Sequence, residues 1–227
     1  WEVMQRSVQE GLSTTGELPG GLHIDRKAKS IYDHILVNKH PEVVECQLVC
    51  SYAYAVSEQT ADTGTIVTAP TCGSCGVLPA VLLTYEELNR ETEERMIEAL
   101  YVAAGIGQVI AERASISGAE GGCQAEIGVA VSMASAALCS MMTDDPDTIH
   151  CAASLGGQVL MGLLCNPIEG YVQVPCIVRN MAAVPTAVTC ANAALAGMDH
   201  IVPLDDVVAL MLAVGEKIRP CDEAGTY

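Results

Sequence analysis

The amino-acid sequence favours a fold of closely packed helices in a single domain, residues 1–227. Half of these residues are apolar, whereas aromatic residues make up 4% and phenylalanine is absent. Ala, Val, Ile, Leu and Met must therefore fill the interior, and side chains this small let helices approach one another closely. A chain of this length can bury a sizeable core within one domain.

Three helices are predicted in the N-terminal third of the chain. The first covers residues 1–12, and the second lies around residues 25–38 beyond a Gly/Pro loop that includes Gly20 and Gly21. Pro41 is predicted to open the third helix, which runs towards residue 60, because proline is favoured in the first turn of a helix.

The first glycine-rich segment, Ala-Pro-Thr-Cys-Gly-Ser-Cys-Gly, covers residues 69–76 and follows a strand-like fragment at residues 65–68. An apolar helix is predicted to begin after it, at Val77 or Pro79. Such a loop presents free backbone N–H groups, and its glycines allow close approach, so it suits an anion such as a carboxylate. Its Cys-x-x-Cys pair has no second half for a zinc site, so packing and loop geometry are the preferred roles.

The second glycine-rich segment, residues 115–126, is predicted to open a helix that continues to about Met142. Cys123 lies at the start of this helix, where the helix dipole lowers a thiol pKa and favours the thiolate that binds metals. Glu120 and Glu126 are interpreted as ordinary carboxylates of a helix start.

The third segment, residues 164–180, carries Cys165 and Cys176 on either side of a Pro/Gly loop. Together with Cys123 they would supply three thiolates, the usual ligands of iron–sulfur clusters, and a fourth ligand position could stay open. From spacing alone, buried structural thiols remain the alternative.

Two long uncharged stretches, residues 148–168 and 180–198, are interpreted as buried helices rather than membrane spans. Each is long enough to cross a bilayer, but polar side chains, His150 and Pro185 interrupt them.

Charge and cysteine content narrow the classes of function. The formal net charge is −17, so binding to nucleic acid or to an anionic membrane surface is disfavoured. The start of the chain lacks the apolar core of a signal peptide. The eleven cysteines therefore indicate a reducing cytoplasm and not a disulfide scaffold.

Three segments in order resemble the alpha subunit or alpha domain of iron–sulfur-dependent L-serine dehydratases. They are residues 68–76, 117–126 and 165–176, and Leu18-Pro19-Gly20-Gly21 resembles the family's N-terminal loop. The resemblance spans nearly the whole chain. It departs from the family pattern at Asn166 and Val178, where many relatives carry an aspartate and a charged residue.

The resemblance implies an all-α domain in which Cys123, Cys165 and Cys176 hold a four-iron, four-sulfur cluster. The iron without a cysteine ligand would act as a Lewis acid on the hydroxyl of L-serine, a base would take the α-proton, and pyruvate and ammonia would result. It also implies a beta subunit or beta domain as partner, in a homo- or hetero-oligomer.

The substrate carboxylate is expected at the first loop, with Arg179 as a second candidate. Arg179 needs a carboxylate partner, either the substrate or one of Glu120, Glu126 and Glu169. The expected substrate-binding residues are Thr68, Thr71, Cys72, Gly73, Ser74, Gly76, Ser117, Gly118 and Arg179.

Three alternatives stay open. A pyridoxal-phosphate dehydratase is disfavoured because no lysine lies between residues 40 and 216. An iron–sulfur cysteine desulfidase and a non-enzymatic helical module with structural cysteines are the others. The base is not identified, and surface or packing roles are preferred for the five histidines, which are His23, His34, His40, His150 and His200.

Overall fold

The computed structural model describes residues 1–37, 40, 43–199 and 201–218, and these residues form a packed bundle of α-helices. The described part of the chain contains no β-strand, which confirms the all-α prediction. The helices are α1 Glu2–Ser13, α2 Ala28–Val37, α3 Val44–Ala61, α4 Val77–Asn89, α5 Glu93–Arg113, α6 Gly118–Gly121, α7 Val129–Ser140, α8 Pro146–Gln158, α9 Cys176–Leu195 and α10 Leu204–Gly215. Two short 3-10 helices, Cys72–Ser74 and Ile168–Gly170, and a π-helix, Gln124–Gly128, complete them.

The predicted N-terminal helices exist, with boundaries shifted by a few residues. α1 and α2 lie within two or three residues of their predicted limits. Pro41, the predicted start of the third helix, lies outside the described residues, and α3 begins at Val44. The N-terminus of α2 is closed by the buried carboxylate of Glu58, which accepts hydrogen bonds from the backbone N–H groups of Lys27 (2.5 Å) and Ala28 (3.3 Å).

Local sequence signals explain where two later helices begin. At the start of α5, Thr92 Oγ1 accepts a hydrogen bond from the backbone N–H of Arg95 (3.3 Å). At the start of α8, Asp145 accepts from the backbone N–H of Thr148 (3.0 Å) and Pro146 is the first helical residue. Each is a standard N-terminal cap that satisfies an otherwise unpaired donor.

The strand-like fragment at residues 65–68 does not form a strand. It is a partly exposed connection between α3 and the first glycine-rich loop, and it pairs with no neighbouring segment in the described part of the chain. Its β-branched residues favour an extended backbone, but a strand also needs a partner for its N–H and C=O groups.

Helix α7 forms the centre of the core. All twelve of its residues are buried, and it packs against α4, α5, α8 and α9. Gly156 of α8 approaches it so closely that a Cβ at this position would lie 2.8 Å from the Cα of Ser132. Small side chains thus bring the helices together, as the composition predicts.

One contiguous cluster of buried side chains includes residues from α1 to α5 and from α7 to α10. The assignment of residues 1–227 to one domain stays a prediction. The uncharged stretch at residues 180–198 falls largely within α9, as predicted. In the stretch at residues 148–168 only residues 148–158 are helical, in α8, and residues 159–167 form a partly exposed connection, so the prediction of a buried helix is wrong there. Among the described residues, none of the helices combines the length and the apolarity that crossing a membrane requires.

Candidate active site

The three glycine-rich segments meet beside the start of α7. Thr71 Oγ1, in the first loop, donates a hydrogen bond to Glu126 Oε1 (2.9 Å) in the π-helix that precedes α7. Asn180, on α9 and 1% exposed, accepts from the backbone N–H of Gly76 (3.0 Å) and donates to the carbonyl of Gly73 (2.7 Å). Segments that are remote in sequence therefore line one site.

The side chain of Gln124 fixes the relation between the second and third segments. Gln124 directly follows Cys123, and its side chain is fully buried. Its Nε2 donates to a backbone carbonyl of α10 (2.9 Å), and its Oε1 accepts from the backbone N–H of Gly162 (2.8 Å). The loop after Gly162, which carries Cys165, is thereby held against the start of the π-helix, a helix type that recurs at functional sites.

The thiols of Cys123 and Cys165 and a carboxylate oxygen of Glu126 lie within 4.8 Å of one another. Such a group can hold a metal ion, since thiolates and carboxylates are metal ligands. Cys176, the first residue of α9, is buried, and its charge interacts with those of Cys123, Cys165 and Glu126. The structure therefore brings two of the three predicted cluster ligands, Cys123 and Cys165, into one group, whereas Cys176 lies outside that group and interacts with it electrostatically.

The three thiols differ in acidity. The hydrogen bond with Cys165 and then the Arg179 guanidinium lower the pKa of Cys123 to about 7, although burial opposes this. The same hydrogen bond, followed by burial, raises the pKa of Cys165. Burial, and then the negative charges of Cys123 and Glu126, raise the pKa of Cys176 to about 11. The site therefore favours one thiolate, and a further positive charge is needed before all three ionise.

Among the residues that the structure describes, the guanidinium of Arg179 donates hydrogen bonds to a thiol and to two neutral oxygen atoms, and not to a carboxylate. Its Nη1 donates to the sulfur of Cys123 (3.1 Å) and to the carbonyl of Leu164 (3.0 Å), and its Nη2 donates to Asn166 Oδ1 (2.7 Å). The sequence left the substrate and a protein carboxylate open as partners of Arg179. The protein alternative is wrong within the described part of the chain, where neither Glu120, Glu126, Glu169 nor any other Asp or Glu lies within salt-bridge distance of the guanidinium. A thiol and two oxygen acceptors replace the carboxylate, because a guanidinium offers five donors.

Glu126 is the site residue that the sequence analysis set aside as an ordinary carboxylate of a helix start. Its carboxylate contacts both glycine loops: a Cβ at Gly73 would lie 3.1 Å from Oε1, and one at Gly118 would lie 2.5 Å from Oε2. Burial raises its pKa, against the hydrogen bond from Thr71. One signal could have identified it, since a residue three positions after Cys123 lies on the same face of a helix.

The other predicted substrate-binding residues hold different positions. Ser74 is buried and forms a capping box with Thr71, and the backbone N–H of Gly76 is occupied by Asn180. Thr68 and Cys72 are exposed, and Ser117 is the N-cap residue of α6. The assignment of this set to the substrate stays a prediction.

None of the described histidines belongs to the group formed by Cys123, Cys165 and Glu126. His23 hydrogen-bonds Glu17 (2.8 Å), and His34 hydrogen-bonds Gln47 (3.1 Å). His150 lies in α8. His200 lies outside the described residues. His40 is exposed.

Comparison with known proteins finds similar sequences over almost the whole chain. An L-serine dehydratase of Streptomyces coelicolor is 41% identical over 217 residues, which cover 95% of this chain and 48% of the relative. The L-serine dehydratase 2 of Escherichia coli is 40% identical over 225 residues, 96% of this chain and 49% of the relative. A Bacillus subtilis protein named probable L-serine dehydratase, alpha chain, is 38% identical over 225 residues, 95% of this chain and 71% of the relative.

The chain thus spans about half the length of the S. coelicolor and E. coli relatives. The model of one protein family, described as serine dehydratase alpha chain, matches residues 1–221. Because this match covers nearly the whole sequence and agrees with the three motifs, the chain belongs to the serine dehydratase alpha chain family.

Proposed function

We propose that this chain is the metal-binding part of an L-serine dehydratase, an ammonia-releasing lyase that converts L-serine into pyruvate and ammonia. The observation that carries the proposal is the convergence of Cys123 and Cys165 with Glu126 inside 4.8 Å, in a chain whose relatives are named L-serine dehydratase. Cys176 lies in electrostatic reach of the same group.

The donor set fits a four-iron, four-sulfur cluster held by Cys123, Cys165 and Cys176. Thiolates are the ligands that such clusters use, and the three thiols compete for ionisation, so that bound iron would compensate the charge that the protein leaves uncompensated. When bound with one iron free of cysteine, the cluster supplies a Lewis acid for the hydroxyl group of the substrate.

The residues of this chain hold the ligands and orient the substrate. Gln124 keeps Cys123 and the loop of Cys165 in register, and Arg179 stabilises the Cys123 thiolate with a charge-assisted hydrogen bond. We assign the first loop, Ser117, Gly118 and Arg179 to the substrate carboxylate. The hydrogen bonds of Thr71 to Glu126 and of Arg179 to Cys123 connect this set to the candidate metal ligands and support the assignment.

Removal of water from L-serine requires a base for the α-proton and leaves aminoacrylate, which tautomerises to an imine and hydrolyses to pyruvate and ammonia. We propose that a beta subunit or beta domain completes the site. Two findings support this partner. The S. coelicolor and E. coli relatives are about twice as long as the matched segment, and the B. subtilis relative is named an alpha chain.

Anaerobic reconstitution tests the function. We expect the purified chain to take up iron and sulfide, and to form pyruvate from L-serine at a rate that rises with the concentration of the beta part. Groups shared across an interface must be held closely, so the isolated chain should be slow. Absence of iron, sulfide and pyruvate would support the non-enzymatic module, and release of sulfide from L-cysteine in place of pyruvate from L-serine would support a desulfidase.

A further inference from the structure

The carboxylate of Glu126 lies inside the candidate active site, and none of the cations that the structure describes pairs with it. Among the described residues, its hydrogen bond comes from the hydroxyl of Thr71 (2.9 Å), and no Lys, Arg or His lies within salt-bridge distance. The nearby cation, Arg179, directs its guanidinium to Cys123, Leu164 and Asn166 instead.

A structural role does not account for a charge at this position. Removing a carboxylate from water is unfavourable unless a cation or several donors compensate it, and burial already raises the pKa of Glu126. A glutamine would accept the hydrogen bond of Thr71 without burying a charge. Glu58 provides the contrast, because its buried carboxylate accepts two backbone N–H groups at the start of α2.

The carboxylate of Glu126 is surrounded by two glycines and two candidate metal ligands. Gly73 and Gly118 face it from the first and second glycine-rich segments, and a Cβ at these positions would lie 3.1 Å and 2.5 Å from its oxygens, so that a side chain on Gly118 would displace it. On another side, the thiols of Cys123 and Cys165 lie within 4.8 Å of its oxygen. The carboxylate therefore stands between the two glycine loops and the proposed cluster ligands.

We propose that Glu126 is the substrate-binding residue that receives the α-ammonium group of L-serine, an assignment that rests on the proposed function. An α-amino acid with a hydroxyl group offers three polar groups for recognition. The first loop and Arg179 serve the carboxylate, and the cluster serves the hydroxyl. Glu126 is the anion of the site that matches the remaining, positively charged group, and it makes the site selective for α-amino acids.

The test compares two ligands that differ in the ammonium group. In the reconstituted enzyme with its beta part, we would measure KM for L-serine and the inhibition constant of 3-hydroxypropanoate, which lacks the amino group. Loss of one charge-assisted pair corresponds to about a tenfold to hundredfold effect. Glu126→Gln should raise KM for L-serine by this factor and change the inhibition constant by less than about threefold.

Glu120→Gln is the matched control, because Glu120 lies in α6 close in sequence, is exposed and hydrogen-bonds Ser115. It should leave both constants unchanged. Iron and sulfide content, and a titration of the cluster absorption spectrum with 3-hydroxypropanoate, would show that the Glu126→Gln site is intact and still accepts the smaller ligand.

Three results would overturn the assignment. If Glu126→Gln weakens the binding of L-serine and 3-hydroxypropanoate equally, Glu126 positions the loops. If neither constant changes, Glu126 does not take part in binding. If the Glu126→Gln variant loses iron while the Glu126→Asp variant still binds L-serine normally, Glu126 is an iron ligand. Failure of the proposed function is a separate outcome, because it would appear as a wild-type enzyme without cluster or pyruvate.

Discussion

Two buried cysteines of this protein, Cys123 and Cys139, have the same side chain and differ in acidity. Cys123 is 2% exposed and Cys139, near the C-terminal end of α7, is fully buried. A neighbouring thiol and the guanidinium of Arg179 lower the pKa of Cys123 to about 7, whereas burial raises the pKa of Cys139 to about 11. Burial raises the pKa of Cys190, on α9, as well.

The difference lies in the polar neighbours and in the place along the helix. Cys123 precedes a helix start and meets a second thiol and a cation. Cys139 lies inside a helix whose residues are all buried. Burial therefore does not distinguish the candidate ligand Cys123 from the packing thiol Cys139, whereas the arrangement of donors and charges around the sulfur does.

The largest expected effect comes from replacing single cysteines by alanine, either among the candidate cluster ligands or among the packing cysteines. Alanine at Cys123, Cys165 or Cys176 should abolish cluster assembly, because each change removes one of three ligands. Alanine at Cys139, Cys151 or Cys190 should leave the iron and sulfide content unchanged and cost about 1 kcal/mol of stability. Iron and sulfide analysis after anaerobic reconstitution measures this. A cluster that survives in both sets, or is lost from both, would contradict the assignment.

In the intact protein, the candidate cluster site should be sensitive to oxygen and the packing cysteines should not. Exposure to air is expected to inactivate the reconstituted enzyme, because an iron without a cysteine ligand is lost first, and ferrous iron with a thiol should restore activity. The core cysteines should stay reduced throughout, which mass spectrometry after alkylation can follow. Activity that persists after long exposure to air and a strong chelator would rule out the open-iron mechanism.

Arg179 should control the acidity of Cys123. In cluster-free protein, Arg179→Gln removes a cation beside the sulfur, so the pKa of Cys123 rises from about 7. The thiolate fraction at pH 7 then falls, and alkylation of Cys123 should slow by about threefold to tenfold. Peptide mass spectrometry across a pH series measures the rate.

Arg113→Gln is the control for this measurement, because Arg113 is exposed and pairs with Asp205. It should leave the alkylation profile of Cys123 as it is. An Arg179→Gln profile identical to that of the wild type would mean that the hydrogen bond with Cys165 alone sets the acidity.

The smallest expected effect concerns the half-buried carboxylate of Glu126. Burial raises the pKa of Glu126 in the folded protein, so the folded state binds more protons than the unfolded state above the usual carboxyl pKa of about 4.3. Stability of the cluster-free protein should therefore fall as pH rises through this window. Glu126→Gln should remove that loss and gain about 1 kcal/mol or less at neutral pH relative to wild type.

Urea unfolding at several pH values measures this gain. Glu120→Gln, at an exposed carboxylate, should change stability by less than about 0.5 kcal/mol at every pH. A pH dependence that is equal in both variants would show that Glu126 carries no uncompensated charge in the folded protein.

The sequence alone determined the helical class, the approximate limits of the first helices and the three motifs that identify the family. These features depend on local signals: small apolar residues, caps and proline positions, and glycine-rich segments that precede helices. The fragment at residues 65–68 shows the limit of local signals, because its β-branched residues predict a strand that has no partner in the described part of the chain.

Only the tertiary structure decided which polar groups meet. The buried side chain of Gln124 joins α10 and the loop of Cys165 to the start of the π-helix. No local sequence pattern predicts these two hydrogen bonds. Packing also turned Arg179 towards a thiol rather than a carboxylate and left Glu126 among glycines. The physical reason is that charge compensation and pKa depend on distances between segments that are remote in sequence, and these distances are set when the helices pack.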